Sequence, residues 1–406
     1  MSDTLTGQAW LTAAATRAVM AALEAAGGAG CARFVGGCVR NALIDRPIDD
    51  IDIATTLKPE ETDRAIRAAG LKSVPTGIAH GTVTAVAERR PFEITTLRRD
   101  VSTDGRNATV AFTDDWAEDA ARRDFRLNAL YADAEGRMFD PTGKGVADAH
   151  AGRIVFVGDP ETRIREDYLR ILRFFRFFAW YGRGEPDSAA LVACGQLAPG
   201  MTRLSAERVS RELMKLLAAD DPRPAMAAMA KAGVLAEILP EANGLGLFDV
   251  MAGLDRDPVV RLMSLLPADE GVIAGVAARL RFPNSTRDRL LAAARAGSVV
   301  QLDMSDAEAR AAVYRHGQAA MADAVLRRRA EAPERSAEGR RLSALAHDWA
   351  PPSMPVGGRE AARLGVPPGP QTGRLLKAFE DSWIAADFPS EGHRERLESL
   401  VSASRA

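Results

Sequence analysis

Apolar and polar positions change their rhythm twice along the chain. From about Ala32 to Asp148, short apolar runs alternate with polar turns. Arg33 to Val35, Ile51 to Ile53, Thr82 to Ala87 and Phe92 to Leu97 each read as a strand, and Arg89 to Pro91 as the turn joining the last two. Gly36-Gly37 is a turn, and Val39 to Ile44 a helix behind it. Val101 to Asn107 is polar and contains Asp104-Gly105, which predicts a mobile loop. After about Gly158, Ala, Leu, Arg and Glu recur at helical spacing, and prolines punctuate the run at Pro222, Pro240, Pro267, Pro283 and Pro351-Pro352. The residues from Trp10 to Leu23 read as an amphipathic helix. The pattern therefore predicts an α+β N-terminal head followed by an all-α remainder.

With 406 residues, two or more domains are expected, and 47% hydrophobic residues suffice for sizeable cores. No apolar run reaches membrane-spanning length, and no secretory signal is read at the start. Cys31, Cys38 and Cys194 lack metal-ligand spacing, which fits a reducing cytoplasm. The formal net charge of −2 advertises no general affinity for nucleic acid, so any RNA contact needs a local basic stripe.

The chemistry concentrates in FVGGCVRNALIDRPIDDIDIATT, Phe34 to Thr56. Asp50 and Asp52 stand two apart on a strand and face one way. Such a pair can supply oxygen ligands to Mg²⁺, although an isolated D-x-D is ordinarily a solvated strand end. The Gly-Gly turn beside it changes the balance. Gly37 permits close backbone approach to phosphates, and Arg40, one turn into the helix, can reach them. Glu93 is either a third acidic group alongside the pair or a surface strand residue.

In RRDFRLNAL, Arg122 to Leu130, a helix would put Asp124 and Asn128 on one face. With Arg123 they form either a ribose and phosphate contact or an internal bond supporting the fold. In REDYLRILRFFRFFAWYG, Arg165 to Gly182, the polar residues Asp167, Arg170, Arg173 and Arg176 recur every third position within an unusually apolar filling. They form either a nucleotide site or a structural ion-pair network. A fixed carboxylate and guanidinium, Asp167 and Arg170, match the donor and acceptor edge shared by cytosine and adenine and reject uracil and guanine.

Taken in order, GGxVR…DxD, RRDFxxNAL and EDxxR make the chain resemble the class II tRNA nucleotidyltransferase and bacterial poly(A) polymerase family, of the polymerase-β-like superfamily. The resemblance is clear over about residues 30 to 220 and loose beyond. It implies a nucleotidyltransferase head over 1–152, a helical neck with a nucleotide-selecting helix over 153–220, and a tRNA-binding body and tail over 221–406. It implies that Asp50 and Asp52 bind catalytic Mg²⁺, and that Gly37 and Arg40 hold the triphosphate. Arg123 contacts the nucleotide, with Asp124 and Asn128 near the sugar. Asp167 and Arg170 template the base, and Arg173 and Arg176 extend the site toward the phosphates. Arg98 to Ala108 resembles the family's flexible loop. LSAERVSREL, Leu204 to Leu213, contributes Arg208 and Glu212 as braces.

The expected reaction adds C, C and A to a tRNA 3′ end from CTP and ATP, with no membrane partner. Poly(A) addition, CC- or A-only addition and a silent RNA-binding relative are the competitors. Poly(A) polymerases usually carry a strongly basic C-terminal extension, which this chain lacks. Asn41 departs from the family, which usually has Asp there. His347-Asp348 stands alone, so no phosphohydrolase activity is expected.

Overall fold

A computed structural model describes residues 4–5, 7–77, 81–104 and 107–404. The chain forms two compact units, residues 1–240 and 241–406.

Among the described residues the first unit holds nine strands: β1 (Ala32–Val35), β2 (Ile51–Thr55), β3 (Lys72–Gly77), β4 (Thr82–Ala87), β5 (Arg90–Thr96), β6 (Arg98–Asp104), β7 (Asn107–Phe112), β8 (Tyr131–Ala132) and β9 (Met138–Phe139). Seven form one sheet in the order β3-β4-β5-β2-β1-β8-β9. Only β2 and β5 run parallel, and their register sets Asp52 opposite Glu93. Alternation decides which side of each strand is buried. Ile51 and Ile53 are 1% and 0% exposed, while Asp52 between them reaches the other face.

Strands β6 and β7 pair only with each other and run through the segment expected to be a polar loop. That expectation is corrected for the described residues, since 101–104 and Asn107 lie in paired strands; residues 105–106, with the glycine of the Asp-Gly dipeptide, lie outside the described ones. The N-terminal helix is also divided, into Ala9–Thr12 and Ala14–Gly27.

From Gly145 onward every regular element among the described residues is helical. Five helices matter for the site: α1 (Gly37–Leu43), α2 (Trp116–Ala121), α3 (Pro160–Glu166), α4 (Leu169–Tyr181) and α5 (Ala206–Leu217). Helix α4 buries Leu169, Ile171, Leu172, Phe174, Phe175, Phe177 and Phe178. Its phenylalanines cluster with Phe125 and Phe156, at ring centroids of 4.9 Å for Phe125–Phe156 and 5.1 Å for Phe125–Phe177. Each such ring removes well over 100 Å² of apolar surface from water, so α4 is fixed firmly to the RRDFRLNAL segment. Gly182 ends it, because a Cβ there would lie 2.5 Å from the Phe178 carbonyl oxygen.

The second unit, wholly helical in its regular elements, has its own apolar clusters. One gathers Val300, Val313, Met321, Val325 and Leu342, another Phe379, Trp383, Leu397 and Val401.

Candidate active site

The turn between β1 and α1 needs Gly36, whose φ of 70° is a region that L side chains avoid. Gly37 is the first helical residue, and a Cβ on it would meet nothing nearer than Arg40 Nη2 at 3.9 Å. The fold itself therefore leaves open space there. The first helical bond runs from Arg40 N–H to Gly36 C=O at 3.0 Å, so the preceding N–H groups lie outside the helix ladder. The Cys38 thiol, pushed up to about 11 by burial, donates to the carbonyls of Val35 and Asp52 and ties α1 to β2.

Three carboxylates gather at this end of the sheet. Asp50 is exposed just before β2, Asp52 is half-buried on it, and Glu93 stands in register on β5, about 5 Å away across adjacent strands. Burial first, then Glu93 and Asp50, push the Asp52 carboxyl up to about 6, while Arg123 pulls the other way. Mutual repulsion of this kind marks a place suited to a cation. Among the described residues no group of three or more His, Cys, Asp or Glu closes into a metal cage. An Mg²⁺ ion needs none, since it is commonly held by one or two carboxylates with substrate phosphates and water completing the shell.

Arg123 faces the turn, 3.7 Å from where a Gly36 Cβ would lie. Its Nη2 donates to Asp119 at 3.0 Å, and its Nε reaches Tyr131 at 3.2 Å. Burial works to lower its pKa, but Tyr131 and Asp119 outweigh it and hold the charge firmly. Asp119, 1% exposed on α2, also accepts from Arg122 at 2.8 Å and from the Tyr131 hydroxyl at 2.7 Å.

RRDFRLNAL is not an α-helix. Phe125 is extended and bridged to Phe156, and only Arg126–Asn128 makes a 3₁₀ turn. Asp124 and Asn128 still meet, Asn128 Nδ2 donating to Asp124 Oδ1 at 3.0 Å. Asp124 accepts as well from Arg173 Nε at 2.9 Å and from Arg173 Nη2. Burial would raise its pKa, but Arg173 and Asn128 outweigh that and hold it at about 2.

Asp167 lies in the extended residue between α3 and α4. It accepts from Arg208 Nη2 at 2.6 Å and from Leu169 N–H at 3.1 Å. Arg170 donates to Glu166 at 2.5 Å, to the Arg163 carbonyl at 2.8 Å and to the Arg122 carbonyl at 3.1 Å. The Arg170 N–H donates to the Asp167 carbonyl at 3.0 Å, while the two side chains are held by different partners. Arg176 is held by Glu212 on α5 at 2.5 Å. The arginine stripe is thus an ion-pair network, with Arg208 and Glu212 as its braces.

Arg40 is buried at 6% exposure. It donates to Asn128 Oδ1 at 2.5 Å, to Asn41 Oδ1 at 2.8 Å and to the Tyr181 hydroxyl at 2.7 Å. Asn41 Nδ2 in turn donates to the Pro47 carbonyl at 2.7 Å. Residue 41 works here as a neutral amide with both ends occupied, and a carboxylate could not make the second bond. Sequence reasoning missed Asp119, Tyr131, Glu166 and Tyr181. A buried-carboxylate position beside paired arginines was the one local signal, at Asp119.

Comparisons with known proteins agree over most of the length. A family model described as "Poly A polymerase head domain" matches residues 32–155, and one described as "Probable RNA and SrmB- binding site of polymerase A" matches residues 185–245. The mouse protein "CCA tRNA nucleotidyltransferase 1, mitochondrial" is 32% identical over 387 residues, covering 91% of this chain and 85% of the relative. A CCA-adding enzyme of Streptococcus gordonii is 40% identical over 215 residues, 52% of each chain. The crystal structure of Bacillus stearothermophilus CCA-adding enzyme in complex with CTP superposes with a TM-score of 0.74 at 25% identity, covering 97% of this chain and 98% of that one.

Proposed function

The chain belongs to the tRNA nucleotidyltransferase family that includes the CCA-adding enzymes, and from that premise we propose that it adds C, C and A to tRNA 3′ ends, using CTP and ATP. The tRNA 3′-hydroxyl attacks the nucleotide α-phosphate, a new phosphodiester forms, and pyrophosphate leaves. The observation that carries this reading is the crowding of Asp50, Asp52 and Glu93 near the Gly36-Gly37 turn, which Arg40 and Arg123 also approach.

In this reading Asp50 and Asp52 hold Mg²⁺, which when bound supplies activation of the attacking hydroxyl and neutralises developing phosphate charge. Gly37, Arg40 and Arg123 receive the triphosphate. Asp124 and Asn128 shape the floor of the sugar site, and Arg173 and Arg176 line the side toward the phosphates through their bonds to Asp124 and Glu212. Asp167 and Arg170 select the base. Arg170 spends three of its five N–H donors on Glu166 and the two carbonyls, which leaves two for a base edge. A base with the wrong edge leaves these donors unpaired, a cost of about 1–3 kcal/mol for each buried group.

The finer division, a head over 1–152, a neck over 153–220 and a tRNA-binding body and tail over 221–406, belongs to the same proposal. So does a cytoplasmic site of action, although matched mammalian relatives are named mitochondrial. No described helix is long and apolar enough to cross a membrane.

The test is to incubate the full chain with a tRNA transcript ending at the discriminator base, Mg²⁺, CTP and ATP, and to sequence the 3′ ends. Ends stopping at CCA are expected, and EDTA stops the reaction. Long A tails would replace the reading with poly(A) addition. A stop at CC, or a need for pre-existing CC, would replace it with a specialist, and no extension would leave a silent RNA-binding relative.

A further inference from the structure

We infer that Tyr181, at the last turn of α4, is a positioning residue that holds Arg40 for the triphosphate and so couples the base-selecting helix to the catalytic turn. The inference rests on the proposed role of Arg40. The three side-chain oxygens that Arg40 meets, on Asn41, Asn128 and Tyr181, are all neutral. No ion pair is formed to it among the described residues, whereas Arg170, Arg173 and Arg176 each have a carboxylate. Burial pulls its pKa below the ordinary value, yet a guanidinium stays charged. Arg40 is thus a buried cation hydrogen-bonded only by neutral side chains, with Asp124 acting on it electrostatically but not in an ion pair, and it can still receive an anion.

Tyr181 makes the contact that reaches Arg40 from farthest along the chain. Its hydroxyl takes the Nη2 proton at 2.7 Å, and its ring lies 4.0 Å beneath the guanidinium. The same ring lies 5.3 Å from Arg46, whose N–H donates to the Asn41 carbonyl in the loop leading to Asp50. One side chain at the end of α4 therefore touches two arginines of the turn that carries the carboxylates. Because Arg40 faces phosphates rather than bases, Tyr181 acts on CTP and ATP alike.

The experiment compares Tyr181→Phe, which keeps the ring, Tyr181→Leu, which removes both contacts, and Arg40→Lys. Each full-length variant is assayed for CTP and ATP addition and for inhibition by inorganic tripolyphosphate. Tyr181→Phe is expected to raise KM for both nucleotides by a common factor of about 2 to 10, the loss of one hydrogen bond. The tripolyphosphate inhibition constant rises in parallel, kcat and rejection of UTP and GTP stay as in the parent, and the thermal midpoint falls less than in Tyr181→Leu. Tyr181→Leu shows a larger rise, and if it fails to fold, the Phe variant decides. Unchanged KM and inhibition in Tyr181→Phe, with Arg40→Lys impaired, overturns the role of Tyr181 alone. Unchanged binding in Arg40→Lys overturns the triphosphate role of Arg40 and this inference with it.

Discussion

The acidic end of β2 and the arginine face of α4 border one site and are built on opposite electrostatic plans. At β2, Asp50, Asp52 and Glu93 crowd together, and burial, with like charge from Glu93 and Asp50 added to it, holds the Asp52 carboxyl up at about 6. On α4, every arginine of the stripe is matched: Arg170 to Glu166, Arg173 to Asp124 and Arg176 to Glu212. The strand end carries charge that something else must neutralise. The three guanidiniums of the helix are matched by carboxylates from neighbouring segments, which hold them in place. Preorganised donors that need no rearrangement are what discrimination between bases requires, while an uncompensated acidic pair is what recruits a divalent cation.

The largest effect that can break this contrast comes from the acidic side. Asp52→Ala should lower nucleotide transfer by about a thousandfold or more, the scale of losing a charge-stabilising group, with an unchanged circular dichroism spectrum. Near-parental transfer would remove Asp52 from the chemistry. Next comes the neutralised side. Asp124→Ala leaves Arg173 without its partner and should cost about 2–4 kcal/mol in urea unfolding. The figure sits low in the range for a buried pair because 33% of the Arg173 side chain reaches solvent. A midpoint like the parent's would mean that the α4 network is ornamental.

Selectivity follows. Arg170→Ala should admit UTP or GTP, and Arg208→Ala should do the same more weakly by freeing Asp167. Misincorporation per correct addition measures both, and unchanged ratios in the two variants would sink the paired template.

The smallest effect is the most diagnostic of sign. The Asp52 pKa rises on folding from 3.8 to about 6, so the folded chain binds the proton more tightly than the unfolded one. Its ionisation costs nothing below about pH 4 and penalises folding fully above about pH 6. Without divalent cations, Asp52→Asn should therefore gain about 1–2 kcal/mol at pH 8, after allowance for solvent screening of a half-exposed group. The gain should vanish near pH 4. A variant less stable than the parent at pH 8 would show that the acidic end is not frustrated.

Much of this was legible along the chain, for reasons that differ by element. Ile51, Asp52 and Ile53 announced a strand with one polar face, because alternation needs no distant partner to be recognised. The apolar filling of α4 announced a buried helix in the same way. In RRDFRLNAL the spacing of four between Asp124 and Asn128 puts them on one face only if the segment is helical, a condition the sequence does not settle. In the fold the backbone at Phe125 goes instead to Phe156, 31 residues on, and Arg126 N–H to the Val155 carbonyl. Val101 to Asn107 reads as a loop because it is polar and contains Asp104-Gly105, whereas its described residues lie in strands that pair only with each other.

Asp52, the Gly36-Gly37 turn and the arginine stripe were thus written locally, since strand period, positive-φ glycine and helical spacing are properties of a few consecutive residues. Which charges are satisfied was not. Arg173 meets Asp124 across 49 residues, Arg176 meets Glu212 across 36, and Arg40 meets Tyr181 across 141. Only the packing of α4 against α5, and against α1 and the RRDFRLNAL segment, brings those atoms within hydrogen-bonding range. Pairing depends on distances of about 3 Å, and spacing along a chain does not fix them.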